Sequence, residues 1–202
     1  MPRSGRNKQP SSTSGRVRLI GGQWRHRSLD FPVVDAVRPT PDRVRETLFN
    51  WLAPTLPGSR CLDLFAGSGA LGLEALSRGA DHSTFVDSSS ALTRALRRNL
   101  GILDAANGEV IESDVMTYLR ASAGSAVDLV FLDPPFRAGL IQPVCDLLAS
   151  RSWLRGHGHL YLEHESDAPE PHLPREWQLH RRKTAGQVCY SLYALEGSDN
   201  SR

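Results

Sequence analysis

The sequence predicts an α/β fold. A mostly parallel, seven-stranded sheet has helices on both faces, an antiparallel hairpin at its C-terminal end, and a small basic N-terminal extension made of a β-hairpin and a helix. Three observations carry this. From Arg60 onward, short apolar runs alternate with helical stretches, the pattern of parallel strands joined by crossovers. Gly67-Ser68-Gly69-Ala70-Leu71-Gly72 follows the first run, where a strand turns into a helix. The chain closes on two β-rich runs, 177–182 and 187–195, around Thr184-Ala185-Gly186.

Taken in order, residues 1–15 hold almost no apolar side chains and are expected to be disordered, as are 198–202. Residues 16–57 form the extension and 58–197 the main domain. Arg16-Val17-Arg18-Leu19-Ile20 and Gln23-Trp24-Arg25-His26-Arg27 flank Gly21-Gly22 and read as a basic hairpin. Thr40 is placed to cap a helix with Pro41 at its first position, and Val44, Leu48, Trp51 and Leu52 then share one face. Core strands are expected at 60–66, 83–86, 109–112, 127–132 and 159–163. Helices follow the glycine turn, Ser88 or Ser89, Asp114 and about Leu140.

The net charge of +2 hides an asymmetry. Residues 1–50 hold 10 Lys+Arg against 4 Asp+Glu, and the remainder 14 against 18. A basic N-terminal segment on a mildly acidic body suits a phosphate-bearing partner. Cys61, Cys145 and Cys189 are far apart, and the sequence has no C-x-x-C and no paired-histidine spacing, which argues against disulfides and structural zinc. No metal is expected. No apolar run reaches membrane-spanning length, so the cytoplasm is the expected compartment, and a monomer the expected state.

The most informative motif is Asp133-Pro134-Pro135-Phe136 at the end of the fourth core strand. Proline has no N–H and a fixed φ, so the turn is stiff and its carbonyls stay free to accept. A carboxylate, a free carbonyl and an aromatic ring at one strand end could clamp a planar amine. The competing reading is a proline-rich loop with Asp133 as turn former. Gly67-x-Gly69-x-x-Gly72 with Asp87 twenty positions after Gly67 satisfies the dinucleotide fingerprint, which on its own favours an NAD(P)-dependent reductase. Asp63 speaks against that, because a carboxylate inside the strand before the turn would repel a pyrophosphate yet attract an ammonium or sulfonium. Asp63, Asp87, Asp114 and Asp133 fall one per strand along the edge where such folds bind ligands, a pattern that fits S-adenosylmethionine better than NAD. Taken singly, Asp87 and Asp114 also suit helix caps.

Leu62-Asp63-Leu64-Phe65-Ala66-Gly67-Ser68-Gly69 together with Asp133-Pro134-Pro135-Phe136 resembles the Rossmann-like class I S-adenosylmethionine-dependent amino-methyltransferases. The block from Arg38 to Trp51, with Ile20–Arg25 and Ala185-Gly186-Gln187-Val188, is similar to the bacterial 16S ribosomal RNA guanine-N2 methyltransferase family called RsmD. That resemblance spans about 16–195 and implies methyl transfer to a guanine of 16S rRNA, free or in a small subunit. It implies that Asp63, Phe65, Ala66, Gly67, Ser68 and Gly69 hold the methionine end of the cofactor, with Asp87 at the ribose, Asp114 by the adenine and Thr40 nearby. Asp133, Pro134, Pro135 and Phe136 become the catalytic set. Some members carry Asn where this chain has Asp114, and Asn can donate a hydrogen bond that ionised Asp cannot.

Arg18, Arg25, Arg27, Arg38, Arg43 and Arg45 are candidate RNA phosphate contacts, with Trp24 as a stacking surface. For Arg43 and Arg45 the alternative is a helix face paired with Asp42 or Glu46. Trp51, Cys189 and Tyr190 read as packing residues, and Glu163-His164-Glu165 as a solvated strand end that could border the site. The rival functions are methylation of adenine N6 or a protein glutamine, the reductase, and a catalytically silent RNA-binding assembly factor. No segment is long enough for the target-recognition insertion usual in DNA enzymes.

Overall fold

The computed structural model describes residues 14–34, 40–121 and 126–196. In chain order they form β1 (Ser14–Arg18), β2 (Ser28–Pro32), α1 (Asp42–Leu52), β3 (Arg60–Leu64), α2 (Ala70–Ser77), β4 (His82–Asp87), α3 (Ser90–Leu103), β5 (Gly108–Glu112), α4 (Val115–Ala121), β6 (Val127–Leu132), α5 (Ile141–Ser150), β7 (Leu154–Glu165), β8 (Trp177–Ala185) and β9 (Val188–Leu195). The main sheet runs β5-β4-β3-β6-β7-β9-β8. Its first five strands are parallel, and β9 pairs antiparallel with both β7 and β8. The predicted sheet and closing hairpin are therefore present.

Alternation along the strands divides the interior in two. Cys61, Phe85, Leu129, Phe131 and Tyr161 pack on one face with residues of α1, α2, α3 and the β1–β2 hairpin. Leu62, Leu64, Val86, Val130, Leu132, Leu160 and Leu162 pack on the other with residues of α4 and α5, including Leu119 and Leu148. The three cysteines are buried and unpaired. Among the described residues, no helix is long and apolar enough to cross a membrane.

Three details of the N-terminal extension differ from expectation. The first strand begins at Ser14 rather than Arg16. The second is Ser28–Pro32, so residues 23–26 form the turn instead of a strand. Phe31 and Leu29 decide this, because they are the residues that reach the core, whereas 25–27 are exposed. The third concerns Thr40, which does not cap α1. Pro41 holds the N-cap position and no side chain closes it.

The reason for the Gly21-Gly22 pair is docking. Gln23 N–H donates to Ser77 O at 2.7 Å, Trp24 N–H to Ser77 Oγ at 3.0 Å, and Ser77 Oγ to Gly21 O at 2.6 Å. Gly22 has φ +73°, and a Cβ there would lie 1.8 Å from Ser77 O. Beside this contact, Glu74 of α2 is fully buried. It accepts from Ile20 N–H at 2.9 Å and from Arg78 Nε at 2.6 Å, with Arg45 Nη1 3.8 Å away. A carboxylate out of water persists only when so partnered. The extension is thus fastened to the C-terminal end of α2 and shares its core.

Gly22→Ala should therefore cost more than Gly58→Ala. Both glycines have positive φ, but nothing lies within 4 Å of a Cβ at Gly58. The left-handed penalty alone is about 1–2 kcal/mol, and Gly22→Ala adds a backbone clash. Urea denaturation of the two variants checks this, with the lower midpoint expected for Gly22→Ala.

Candidate active site

Strand β3 ends in a turn whose backbone is held by the next strand. Ala66 N–H donates to Val86 O at 3.0 Å, and Gly67 N–H to Asp87 Oδ2 at 2.8 Å. The other Asp87 oxygen accepts from Ser89 N–H at 2.8 Å. Gly69, at φ +76°, opens α2, and a Cβ there would stand 2.3 Å from Leu96. Phe65 sits at φ +60°, an uncommon conformation for a bulky residue that costs about 1–3 kcal/mol. Arg137, directly after the Asp-Pro-Pro-Phe turn, has φ +58°. The two left-handed residues thus follow β3 and β6, the adjacent central strands.

Asp63 is 3% exposed and accepts from Gly72 N–H at 2.9 Å. Burial pushes its carboxyl up to about 8, against the lowering by that hydrogen bond, and the Asp87 charge raises it further. Asp133 follows β6. Burial holds its carboxyl well above the usual range, and the charges of Glu163 and Asp63 add to the effect. Ser68 is buried, and Phe136 is 48% exposed at the mouth of the turn. Asp114 takes the helix-capping arrangement: its Oδ1 accepts from Thr117 N–H at 2.9 Å and its side chain is exposed. Across the sheet the acids follow the order Asp114, Asp87, Asp63, Asp133 on β5, β4, β3 and β6.

Glu163 continues that row onto β7, and here the expectation fails. Glu163, His164 and Glu165 are buried rather than a solvated strand end. Thr40 Oγ1 lies 3.1 Å from Glu163 Oε1 and 3.4 Å from Asp133 Oδ2, and Tyr161 OH donates to the same Glu163 oxygen at 2.6 Å. Burial raises the Glu163 carboxyl, with the two hydroxyls opposing. The signal was in the sequence: Tyr161 and Glu163 alternate on a run that is otherwise apolar. A cavity of about 590 Å³ opens beside them, lined by Pro134, Pro135, Arg137, Glu163 and Glu165 among others. No group of His, Cys, Asp and Glu among the described residues could hold a metal ion.

Of the RNA candidates, Arg25 and Arg43 are exposed, Arg27 reaches Ile102 O at 3.2 Å, and Arg18 pairs with Asp42 at 2.9 Å. Two are corrected. Arg45 is 1% exposed and spends its guanidinium on Thr40 O, Arg18 O and Asp42, so it organises the extension from inside. Trp24 is buried in the core and offers no stacking face. Arg38 lies outside the described residues.

The strand order with its reversed last pair is that of the Rossmann-like class I methyltransferases. At the level of fold, the magnesium protoporphyrin IX methyltransferase of Synechocystis shares it at 18% identity and a TM-score of 0.56, over 77% of this chain and 79% of that one. The family described as Conserved hypothetical protein 95 matches residues 17–194. Ribosomal RNA small subunit methyltransferase D of Escherichia coli is 49% identical over 96% of this chain and 98% of its own, and that of Haemophilus influenzae 42% over 92% and 97%. A solved Escherichia coli structure matches at 48% identity and a TM-score of 0.84, covering 90% of this chain and 99% of that one. The chain belongs to this family of methyltransferases, which disposes of the reductase.

The buried acids give a pH prediction. A carboxyl whose folded value exceeds its unfolded one holds a proton that unfolding releases, so stability falls as pH rises between the two. For Asp63 that window runs from the ordinary carboxylate range to about 8. The ligand-free protein should melt at a lower temperature at about pH 8.5 than at about pH 7. Asp63→Asn should flatten that slope in the same thermal scans.

Proposed function

We propose that the protein transfers a methyl group from S-adenosylmethionine to the exocyclic N2 amine of a guanine in small-subunit (16S) ribosomal RNA. The observation that carries this reading is Asp133, a half-buried carboxylate between Asp63 on one side and Glu163 on the other. The name of the Escherichia coli and Haemophilus influenzae relatives, ribosomal RNA small subunit methyltransferase D, supports the substrate.

The residues fit the cofactor. A buried acid with a single backbone donor is the partner an ammonium needs, and Asp63 is such an acid. The turn from Phe65 to Gly69 would hold the methionine end beside it. Asp87 would take the ribose hydroxyls, Asp114 would lie near the adenine, and Thr40 would stand by the reacting centre. When bound, the cofactor supplies an electrophilic methyl on a sulfonium.

The rest falls to the chain. Guanine's N2 lone pair is delocalised into the ring, so the amine must be aimed. The Asp133 carboxylate and the Pro134 carbonyl accept its two hydrogens and hold it in line. The Pro134 carbonyl takes no backbone donor, whereas Pro135 O accepts from Ala138 N–H at 3.3 Å, and the fixed proline φ keeps the clamp rigid. Asp133 also stabilises the positive charge that grows on the nitrogen as the methyl leaves sulfur, which departs as the neutral thioether of S-adenosylhomocysteine. It then accepts the proton that the methylated amine sheds. Positioning with charge complementarity supplies most of the rate. Phe136, exposed at the turn, stacks on a base drawn out of its helix. Arg18, Arg25, Arg27 and Arg43 meet backbone phosphates and fix the approach.

Tritiated-methyl transfer to ribosomal RNA, free and in small subunits, followed by nucleoside analysis, tests the assignment. The label should appear in N2-methylguanosine; label in N6-methyladenosine would refute it. Asp133→Ala should lower transfer on the order of 10²–10³-fold while S-adenosylhomocysteine still binds.

A further inference from the structure

Glu163 is the acid that the clamp leaves unused. It is 4% exposed, yet it lines the cavity together with Pro134 and Pro135. Its Oε1 is committed, accepting from Tyr161 OH at 2.6 Å and facing Thr40 Oγ1 at 3.1 Å. Its Oε2 carries no hydrogen bond among the described residues. That leaves Oε2 free to accept at the cavity wall, while the two hydroxyls on Oε1 fix the orientation of the carboxylate.

The same Thr40 hydroxyl stands 3.4 Å from Asp133 Oδ2, so one side chain spans both acids and fixes them side by side. Two adjacent acceptors match a ring edge with two adjacent donors. On guanine, N1–H stands next to the N2 amine. On adenine the ring nitrogen N1 is an acceptor, which a carboxylate would repel. The cavity, about 590 Å³ and walled by Pro134, Pro135, Leu140 and Ile141, suits a flat ring between apolar faces.

We propose that Glu163 is the specificity residue of this site: its Oε2 accepts N1–H of the target guanine while Asp133 holds N2. This rests on the guanine-N2 reading above. Thr40 and Tyr161 are positioning residues that aim Glu163, and the extension contributes the first of them. No bond to Glu163 forms or breaks in the reaction, and its part is to reject purines whose N1 is a lone pair.

The test uses the full chain and an RNA carrying the mapped target guanine, alongside the same RNA with 2-aminopurine there. That analogue keeps the N2 amine and lacks N1–H. The wild-type protein should methylate guanine faster by roughly tenfold or more. In Glu163→Gln the side-chain amide can donate to a bare N1, so the guanine to 2-aminopurine ratio in kcat/KM should fall toward one. Tyr161→Phe, which frees the carboxylate without removing it, should lower the ratio by a smaller factor and covers the case in which Glu163→Gln does not fold. Equal rates on both RNAs with wild-type protein, or an unchanged ratio in the folded variants, would overturn the assignment. A wild-type protein that makes no N2-methylguanosine in any small-subunit RNA fails the function itself, a result distinct from either.

Discussion

A β-strand turns successive side chains to opposite faces, and that alternation governs this site. Cys61, Phe85, Phe131 and Tyr161 all face the core under α1, α2 and α3. Two residues further along each strand stand Asp63, Asp87, Asp133 and Glu163. The register of a parallel sheet therefore delivers four carboxylates to one face of one edge. Three of them are held above the ordinary carboxylate range, with burial as the first cause in each case. Burying acids this way works against stability in the empty protein and leaves them waiting for cationic or hydrogen-bond-donating ligands.

The N-terminal extension is part of the same construction. Glu74 and Ser77 on α2 grip Ile20 through Trp24, and Arg45 ties α1 to the carbonyls of Arg18 and Thr40. That chain of contacts ends at Thr40, whose hydroxyl stands between Asp133 and Glu163. Residues that look like an RNA-binding arm thus have two roles. The outer arginines present charge, and Arg45 inside holds Thr40, by its carbonyl, beside Asp133 and Glu163.

The sheet was legible because its signals are local. The apolar run 127–132 coincides with β6, and Ser89 caps α3 as its position suggests. The glycine turn and Asp-Pro-Pro-Phe were legible because each demands a particular backbone. What escaped reading was tertiary. Nothing near Arg45 in sequence foretells Glu74, and nothing near Trp24 says that its indole turns inward. The Phe31–Leu29 strand was displaced because the basic residues 25–27 resemble a strand while only 29 and 31 find a core. Glu163 is the instructive case. The reasoning that singled out Asp63, a carboxylate on an apolar strand, applies equally to Tyr161-Leu162-Glu163, yet a terminal position made solvent the easier assumption.

Proton linkage tests the central claim, that the edge keeps buried acids protonated until a cation arrives. S-adenosylmethionine binding is measured by titration calorimetry at about pH 7 in buffers of different ionisation enthalpy. Ligand binding to the wild-type protein should release a proton that Asp63→Asn does not release, because Asp63, raised to about 8, must ionise beside the ammonium. The same proton balance in both proteins would contradict the account.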